Sequence, residues 1–285
     1  EWLENRLSVE ENQDKPFFFT LSFPGPHHPY DLEGTKYADM YNLEDMEESE
    51  STYEDLEQKG PQFKNMGMYS DIYLKDYTKE QFLRTKRSYY ANDEKVGEVI
   101  DILKKHNAYD DTVIIYSSDH GDFMGDYGLV EKLQCLEDSL MRVPLFVKPP
   151  IAGFSGIRVK EPVVNIDIAS TCMELSETPL EAPMSDYSFV PYWDKSKELR
   201  IRPYIYMEAG AIRGVLCNGI KTIHYVNRDY GELYDLNKDP LERKNLWNDK
   251  DYEDAKLHGY RCMFDSMYKA TPGFDTPWNI GTPEI

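Results

Sequence analysis

Thr112-Val113-Ile114-Ile115-Tyr116-Ser117 runs without a break into Ser118-Asp119-His120-Gly121-Asp122, and this junction constrains the fold more than any other stretch of the chain. A short run rich in β-branched residues and closed by polar ones is a buried strand. A helical pattern precedes it. Thr78 with Gln81 resembles a capping box, and apolar residues then recur at Phe82, Tyr89, Val96, Val99, Ile100 and Leu103, ending near Asn107. Helix, strand and polar loop in that order are the grammar of an α/β fold, whose ligands gather where strands end. Phe17 to Phe23 repeats the theme as an apolar run closed by Pro24-Gly25-Pro26 and followed by His27-His28-Pro29-Tyr30. Val143 to Val147 reads as a further strand and Ile166 to Leu175 as a helix. Residues 1–200 are therefore expected to form an α/β unit, with a mostly parallel sheet flanked by helices.

The pattern changes near residue 200. Tyr204 to Met207, Ile212 to Leu216, Lys221 to Val226 and Glu232 to Leu236 are strand-like, with Asn218-Gly219 as a hairpin turn. An amphipathic helix follows, with apolar residues at Tyr252, Tyr260, Met263, Phe264 and Met267. Residues 201–285 are expected to form a smaller antiparallel sheet of about four strands with that helix on one face.

Charge and composition narrow the partners. The chain has 52 acidic and 32 basic residues and a net charge of -20. A field of that sign repels nucleic acid and anionic membranes, so no nucleic-acid partner is expected. No run approaches the ~20 apolar residues of a membrane span, so no transmembrane segment is expected. Cys135, Cys172, Cys217 and Cys262 form no C-x-x-C pair, which argues against a zinc knuckle and for buried free thiols. The chain opens Glu1-Trp2-Leu3-Glu4 without an initiator Met, and Leu3, Leu7 and Val9 read as the tail of a helix in mid-domain. Residues 31 to 77, strongly acidic from Glu44 to Glu57, read as a surface excursion rimming a cleft.

Three polar clusters follow predicted strands: His27-His28, Asp119-His120, and Lys132 within Gly128-Leu129-Val130-Glu131-Lys132. A carboxylate beside an imidazole can share a divalent cation. A lysine nearby can meet an oxyanion held there, and a histidine can protonate a departing oxygen. Those are the requirements for cleaving an anionic ester. Each cluster also has an ordinary reading. Asp-His is then a turn, His-His a surface pair, and Lys132 a solvated side chain paired with Glu131 or Glu137.

Together, four ordered motifs resemble the sulfatase family. Pro16 to Phe23 with Pro26-His27-His28-Pro29-Tyr30 is similar to its aromatic strand ending in Pro-His-x-Pro. Ser118-Asp119-His120-Gly121-Asp122, Gly125, Gly128-Leu129 and Lys132 resemble its Ser-Asp-His-Gly-Asp loop and downstream lysine. Ser139-Leu140-Met141-Arg142-Val143-Pro144 resembles the following segment, with one extra residue. Glu232-Leu233-Tyr234-Asp235-Leu236, Asp239-Pro240, Glu242 and Asn245-Leu246 resemble the C-terminal signature. The resemblance implies an alkaline-phosphatase-like fold and cleavage of a small-molecule or carbohydrate sulfate ester. It assigns Asp119 and His120 as metal ligands, Lys132 and His27 as catalytic residues and His28 as a substrate contact. Arg142 reads as structural. Ca2+ is the implied metal, with Mn2+ as the alternative.

The departures bear on the same chemistry. The family carries an Asp-Asp metal pair and a Cys/Ser-x-Pro/Ala-x-Arg motif whose first residue is oxidised to formylglycine, and neither motif is in this sequence. The nucleophile and half of the metal shell are therefore expected on an N-terminal segment preceding Glu1, which becomes a partner of this chain. Asp126-Tyr127 stands where the family often has an acidic residue and then His or Arg. Tyr89-Tyr90-Ala91-Asn92-Asp93 to Gly97 is about one helical turn short of the family's helix. Two alternatives stay open: a phosphonate monoester or phosphodiester hydrolase of the same superfamily, and a catalytically inactive sulfatase fragment.

Overall fold

In the computed structural model, which describes residues 1–9, 15–23, 27, 42–45, 47–60, 63, 80, 83, 94–179 and 187–270, the chain opens with helix α1 (Trp2–Ser8). Helix α2 (Glu94–Lys105) packs near it, and Lys105 pairs with Glu4. The helix ends where the sequence predicts. Asn107 adopts a left-handed backbone at φ 55°, and the N–H of Ala108 donates to the Leu103 carbonyl at 2.9 Å. The earlier part of the predicted helix, with its capping box, lies outside the described residues.

Strand β1 (Ile114–Ser117) follows α2, then the one-turn helix α3 (Asp138–Met141), strand β2 (Leu145–Lys148) and helix α4 (Ile166–Leu175). β1 and β2 pair antiparallel, with Ser117 opposite Leu145 and Ile114 opposite Lys148. Among the described residues this is the only ladder of the N-terminal part, and no parallel pair occurs there. The run Phe17–Phe23 corrects one expectation. It is extended but forms no ladder among the described residues, and Phe18 is 75% exposed. A strand is buried only where neighbours cover both its edges and its faces. Here the rings cover one another instead: Phe17 stacks on Phe19 at 4.9 Å, and Trp2 meets Phe19 edge-on at 5.3 Å.

The C-terminal region is the meander the sequence predicts. β3 (Ile205–Ala209), β4 (Ile212–Cys217), β5 (Ile220–Tyr225) and β6 (Gly231–Asp235) form one antiparallel sheet in chain order, followed by helix α5 (Glu253–Ala270). Asn218 and Gly219, at φ 51° and 79°, both lie in the left-handed region that a tight two-residue hairpin needs. Side chains alternate along β4. Ile212 and Leu216 join Leu136, Met207, Ile223 and Tyr234 on one face, while Val215 and Cys217 join Cys262 and Met263 of α5 on the other.

The first of those faces carries the loop between β1 and α3. A Cβ on Gly214 would lie 2.6 Å from Leu136 Cδ1, so the missing side chain lets the loop sit directly on the sheet. Buried charges fasten the contact. Lys221 donates to the Leu136 carbonyl at 2.9 Å and pairs with Asp138 and Glu242. Lys59 meets Glu137 at 3.3 Å and lies over the rings of Tyr127 and Tyr234.

Candidate functional site

The Asp119-His120 pair sits directly beyond the end of β1. The backbone N–H of His120 donates to Asp119 Oδ1 at 2.9 Å, and the Ser118 hydroxyl reaches the same oxygen at 3.4 Å. Asp119 Oδ2 is left facing His120 Nε2 at 3.7 Å. Because a carbonyl can only accept, His120 Nδ1, 2.8 Å from the Gly121 carbonyl, carries the ring proton. That tautomer leaves a lone pair on Nε2, beside a carboxylate oxygen, as a metal-binding pair requires. Burial pushes the Asp119 carboxyl up, but the hydrogen bonds it accepts, first from the His120 N–H and then from the Ser118 hydroxyl, help to hold it below the usual range. The donor set, one hard oxygen and one imidazole nitrogen on an exposed loop, fits a divalent cation.

The loop is held from both sides. Asn165 stands at the start of α4, but its side chain leaves the helix uncapped and bonds instead to the Ser117 hydroxyl at 3.1 Å and the Ser118 carbonyl at 2.9 Å. Gly121 donates to the Leu140 carbonyl at 2.7 Å, and a Cβ there would lie 2.0 Å from the Ser139 carbonyl oxygen. Only glycine permits that approach.

A tight excursion then delivers Lys132. Asp122 Oδ1 accepts from the N–H groups of Met124 and Glu131, both at 3.0 Å, pinching the excursion at its two ends. Asp126 accepts from Ser49 at 2.5 Å and from Ser139, and the Tyr127 hydroxyl donates to the Leu241 carbonyl at 2.6 Å. Asp126 and Tyr127 thus brace the loop. Lys132 Nζ emerges 2.6 Å from His27 Nε2. Of the two carboxylates in the ordinary reading of Lys132, Glu137 is buried against Lys59 instead.

The structure therefore brings Asp119 to His120 and Lys132 to His27. His28 lies outside the described residues, as do most of residues 31–77, but the acidic stretch Glu44 to Glu57 is described except for position 46, and Ser51, Leu56 and the following Lys59 are buried rather than on a surface rim. Arg142 is exposed, and its backbone N–H closes α3 on Asp138. Sequence reasoning missed Asn165 and gave no role to Asp122. The signal for Asp122 was present, since it stands inside a quoted motif. Asn165 had none, because its partners lie 47 and 48 residues away.

Glu232, part of the C-terminal motif, belongs to the interior. It accepts from the hydroxyls of Tyr225 at 2.7 Å, Tyr230 at 2.6 Å and Tyr234 at 2.5 Å, and from the Gly60 N–H at 3.2 Å. Burial drives its carboxyl upward, yet Lys59 and these hydroxyls hold it charged, below the usual range. Asn245 Oδ1 accepts from Leu233 at 3.1 Å and Trp247 at 2.9 Å, tying the chain after β6 back onto it.

Comparison with known proteins follows the same outline. The family described as Sulfatase matches residues 1–178, and the family described as N-sulphoglucosamine sulphohydrolase, C-terminal, matches residues 125–260. The chain is 33% identical over 263 residues to a choline-sulfatase of Rhizobium meliloti, covering 85% of this chain and 48% of that protein. It spans about half the length of the curated relatives it matches. Among solved structures, a phosphonate monoester hydrolase of Agrobacterium radiobacter superposes with a TM-score of 0.79 at 22% identity, over 92% of this chain and 58% of that one. A structure in complex with its substrate D-glucosamine-2-N,6-O-disulfate superposes with a TM-score of 0.57 at 23% identity, over 67% of this chain and 42% of that one. The chain shares the α/β, alkaline-phosphatase-like fold of these structures.

Proposed function

The chain belongs to the sulfatase family, and from that premise we propose that the whole protein is a metal-dependent sulfuric ester hydrolase, cleaving a small-molecule or carbohydrate sulfate ester to an alcohol and sulfate. Both substrate kinds occur among its relatives: one is named for choline, and another is complexed with a sulfated glucosamine. The same reading divides the chain. Residues 1–200 belong to the catalytic α/β unit, and residues 201–285 form the subdomain on which its loop rests.

The observation that carries the proposal is the contact of Lys132 Nζ with His27 Nε2 at 2.6 Å, in a loop that begins with the Asp119-His120 pair. In that contact the Lys132 ammonium donates to the lone pair of His27 Nε2. When an anionic ester approaches, the ammonium of Lys132 pairs with its oxygens as charge builds on them. As the Lys132 N–H groups turn to the ester, His27 Nε2 is released, and a proton it then takes up from solvent is available to the departing alcohol oxygen. His28 is retained as a substrate contact. Asp119 Oδ2 and His120 Nε2 would hold the cation, for which Ca2+ is our expectation and Mn2+ the alternative. When bound, that cation would supply Lewis acidity to the ester oxygens, and the nucleophile we expect is a formylglycine, whose motif is not in this sequence.

The likeness to a phosphonate monoester hydrolase favours one other reading, with the same four side chains acting on a phosphorus ester. Steady-state kinetics on the full-length protein separate the two. An aryl sulfate should be turned over with the higher kcat/KM. A higher value for a phenyl phosphonate ester would transfer the assignment to that chemistry.

A further inference from the structure

We propose that Cys217, His258 and Cys262 form a second metal site, which takes Zn2+ through two thiolates and one imidazole and ties α5 to β4. The three residues lie far apart in sequence, and the fold assembles them. Cys217 is the last residue of β4. His258 and Cys262 are four apart on α5 and so share a face of that helix. Between them stands Gly259, where a Cβ would lie 2.2 Å from Thr222 Oγ1. The missing side chain lets the helix approach the sheet closely enough for the three ligand atoms to converge.

The spacing decides what the cluster suits. Cys217 Sγ and His258 Nε2 are 3.4 Å apart, Cys262 Sγ and His258 Nε2 3.6 Å, and the two sulfurs 3.7 Å. Tetrahedral zinc, with Zn–S of about 2.3 Å and Zn–N of about 2.0 Å, sets its ligand atoms roughly 3.4–3.8 Å apart. The thiols are free, and their separation is far beyond a disulfide bond of about 2.05 Å. Apolar packing alone would account for two buried thiols beside Val215 and Met263. It would not account for an otherwise exposed histidine whose Nε2 is turned to both sulfurs.

A second observation concerns the fourth position. Cys217 and His258 line a cavity of about 190 Å³ together with Ile220, Thr222 and Ala255. Thr222 is fully buried there, and its hydroxyl finds no hydrogen-bond partner among the described residues. A buried hydroxyl calls for a partner, and a water completing the coordination would provide one. On binding, each thiol releases its proton to solvent as its sulfur bonds zinc, and the neutral imidazole binds through Nε2. Soft sulfur ligands separate this site from the oxygen-bearing Asp119-His120 pair, which is suited to a hard cation.

Cobalt is the probe, because its thiolate charge-transfer absorption reports sulfur ligation directly. Metal-stripped full-length protein, reduced and held without oxygen, should develop that absorption on addition of Co2+, saturating at one equivalent, and lose it on addition of Zn2+. Cys217→Ser and Cys262→Ser should abolish the band, whereas Asp119→Ala should leave it intact. His258→Gln guards against misfolding of the cysteine variants, since its side chain is exposed; it should weaken cobalt binding while leaving the circular dichroism unchanged. Three results would each overturn the proposal: no sulfur-to-cobalt band in the reduced protein, a band that survives both serine substitutions, or unchanged affinity in His258→Gln.

Discussion

The loop after β1 and strand β6 both carry residues of the family's motifs, yet they place them in opposite surroundings. The Asp119 side chain is 85% exposed and has one oxygen free to meet a cation. Glu232 is fully buried, and both its oxygens are taken by tyrosine hydroxyls or by the Gly60 N–H. The same kind of side chain is kept for different reasons. On the loop a carboxylate is useful because it is incompletely satisfied. In the sheet it is useful because it is saturated and gathers three tyrosines and the Lys59 segment around one anion. A motif residue therefore earns a catalytic reading only when its remaining bonding capacity faces a cleft.

The largest expected effect breaks the comparison at the sheet. Glu232→Ala should strand three tyrosine hydroxyls and leave Lys59 undercompensated, costing about 3–5 kcal/mol in urea denaturation of the full-length protein. Any activity lost should track the unfolded fraction. A cost below about 1 kcal/mol would mean that the network is not what holds β6 to the loop.

Lys132→Ala tests the opposite pole. It should lower kcat by roughly 100-fold or more, the scale of one lost oxyanion contact. Lys132 is only half-buried, so stability should change little. Asp119→Ala should remove the divalent metal and the activity together, with the fold intact. Near-normal kcat in the lysine variant, or full metal occupancy in the aspartate variant, would detach that residue from the site.

Gly121→Ala falls between the two. Its Cβ would collide with the Ser139 carbonyl, which is backbone and cannot swing aside as a side chain would. The loop must shift, and displacing Asp119 and His120 by a fraction of an ångström should cost roughly 10- to 100-fold in kcat/KM. An unchanged rate would show that the loop tolerates movement relative to α3.

What the sequence revealed and what it concealed divide along physical lines. The hairpin at Asn218-Gly219, the alternation along β4 and the end of α2 at Asn107 are local, written in a few adjacent residues. The Asp119-His120 pair was legible for the same reason, since both residues lie on one turn of chain. The Lys59 cluster was not, because Lys59 and Tyr234 are 175 residues apart and nothing near Lys59 marks it as buried. Cys217 and Cys262 read as separate free thiols until the close approach at Gly259 brings them together. Phe17–Phe23 failed in the opposite direction. Its apolar run predicted a buried strand, but burial depends on neighbours, and a run of phenylalanines does not specify them.

Acid sharpens the comparison at its small end. Both Asp119 and Glu232 have carboxyl groups held below the usual range, so each contributes stability that is present above its unfolded value, about 3.9 for Asp and 4.3 for Glu, and lost as pH falls through the folded value. Their weights should differ greatly. Glu232 is buried and satisfied by Lys59 and three hydroxyls, so Glu232→Gln should reduce the acid-induced loss of stability measurably. Asp119 is exposed and screened by solvent, so in chelator-treated protein Asp119→Asn should change the acid unfolding curve by less than about 1 kcal/mol. Urea midpoints measured from neutral pH down through the carboxylate range would settle the ranking. An Asp119→Asn effect equal to that of Glu232→Gln would mean that the exposed pair contributes to the fold as the buried one does, and that the contrast between loop and sheet is wrong.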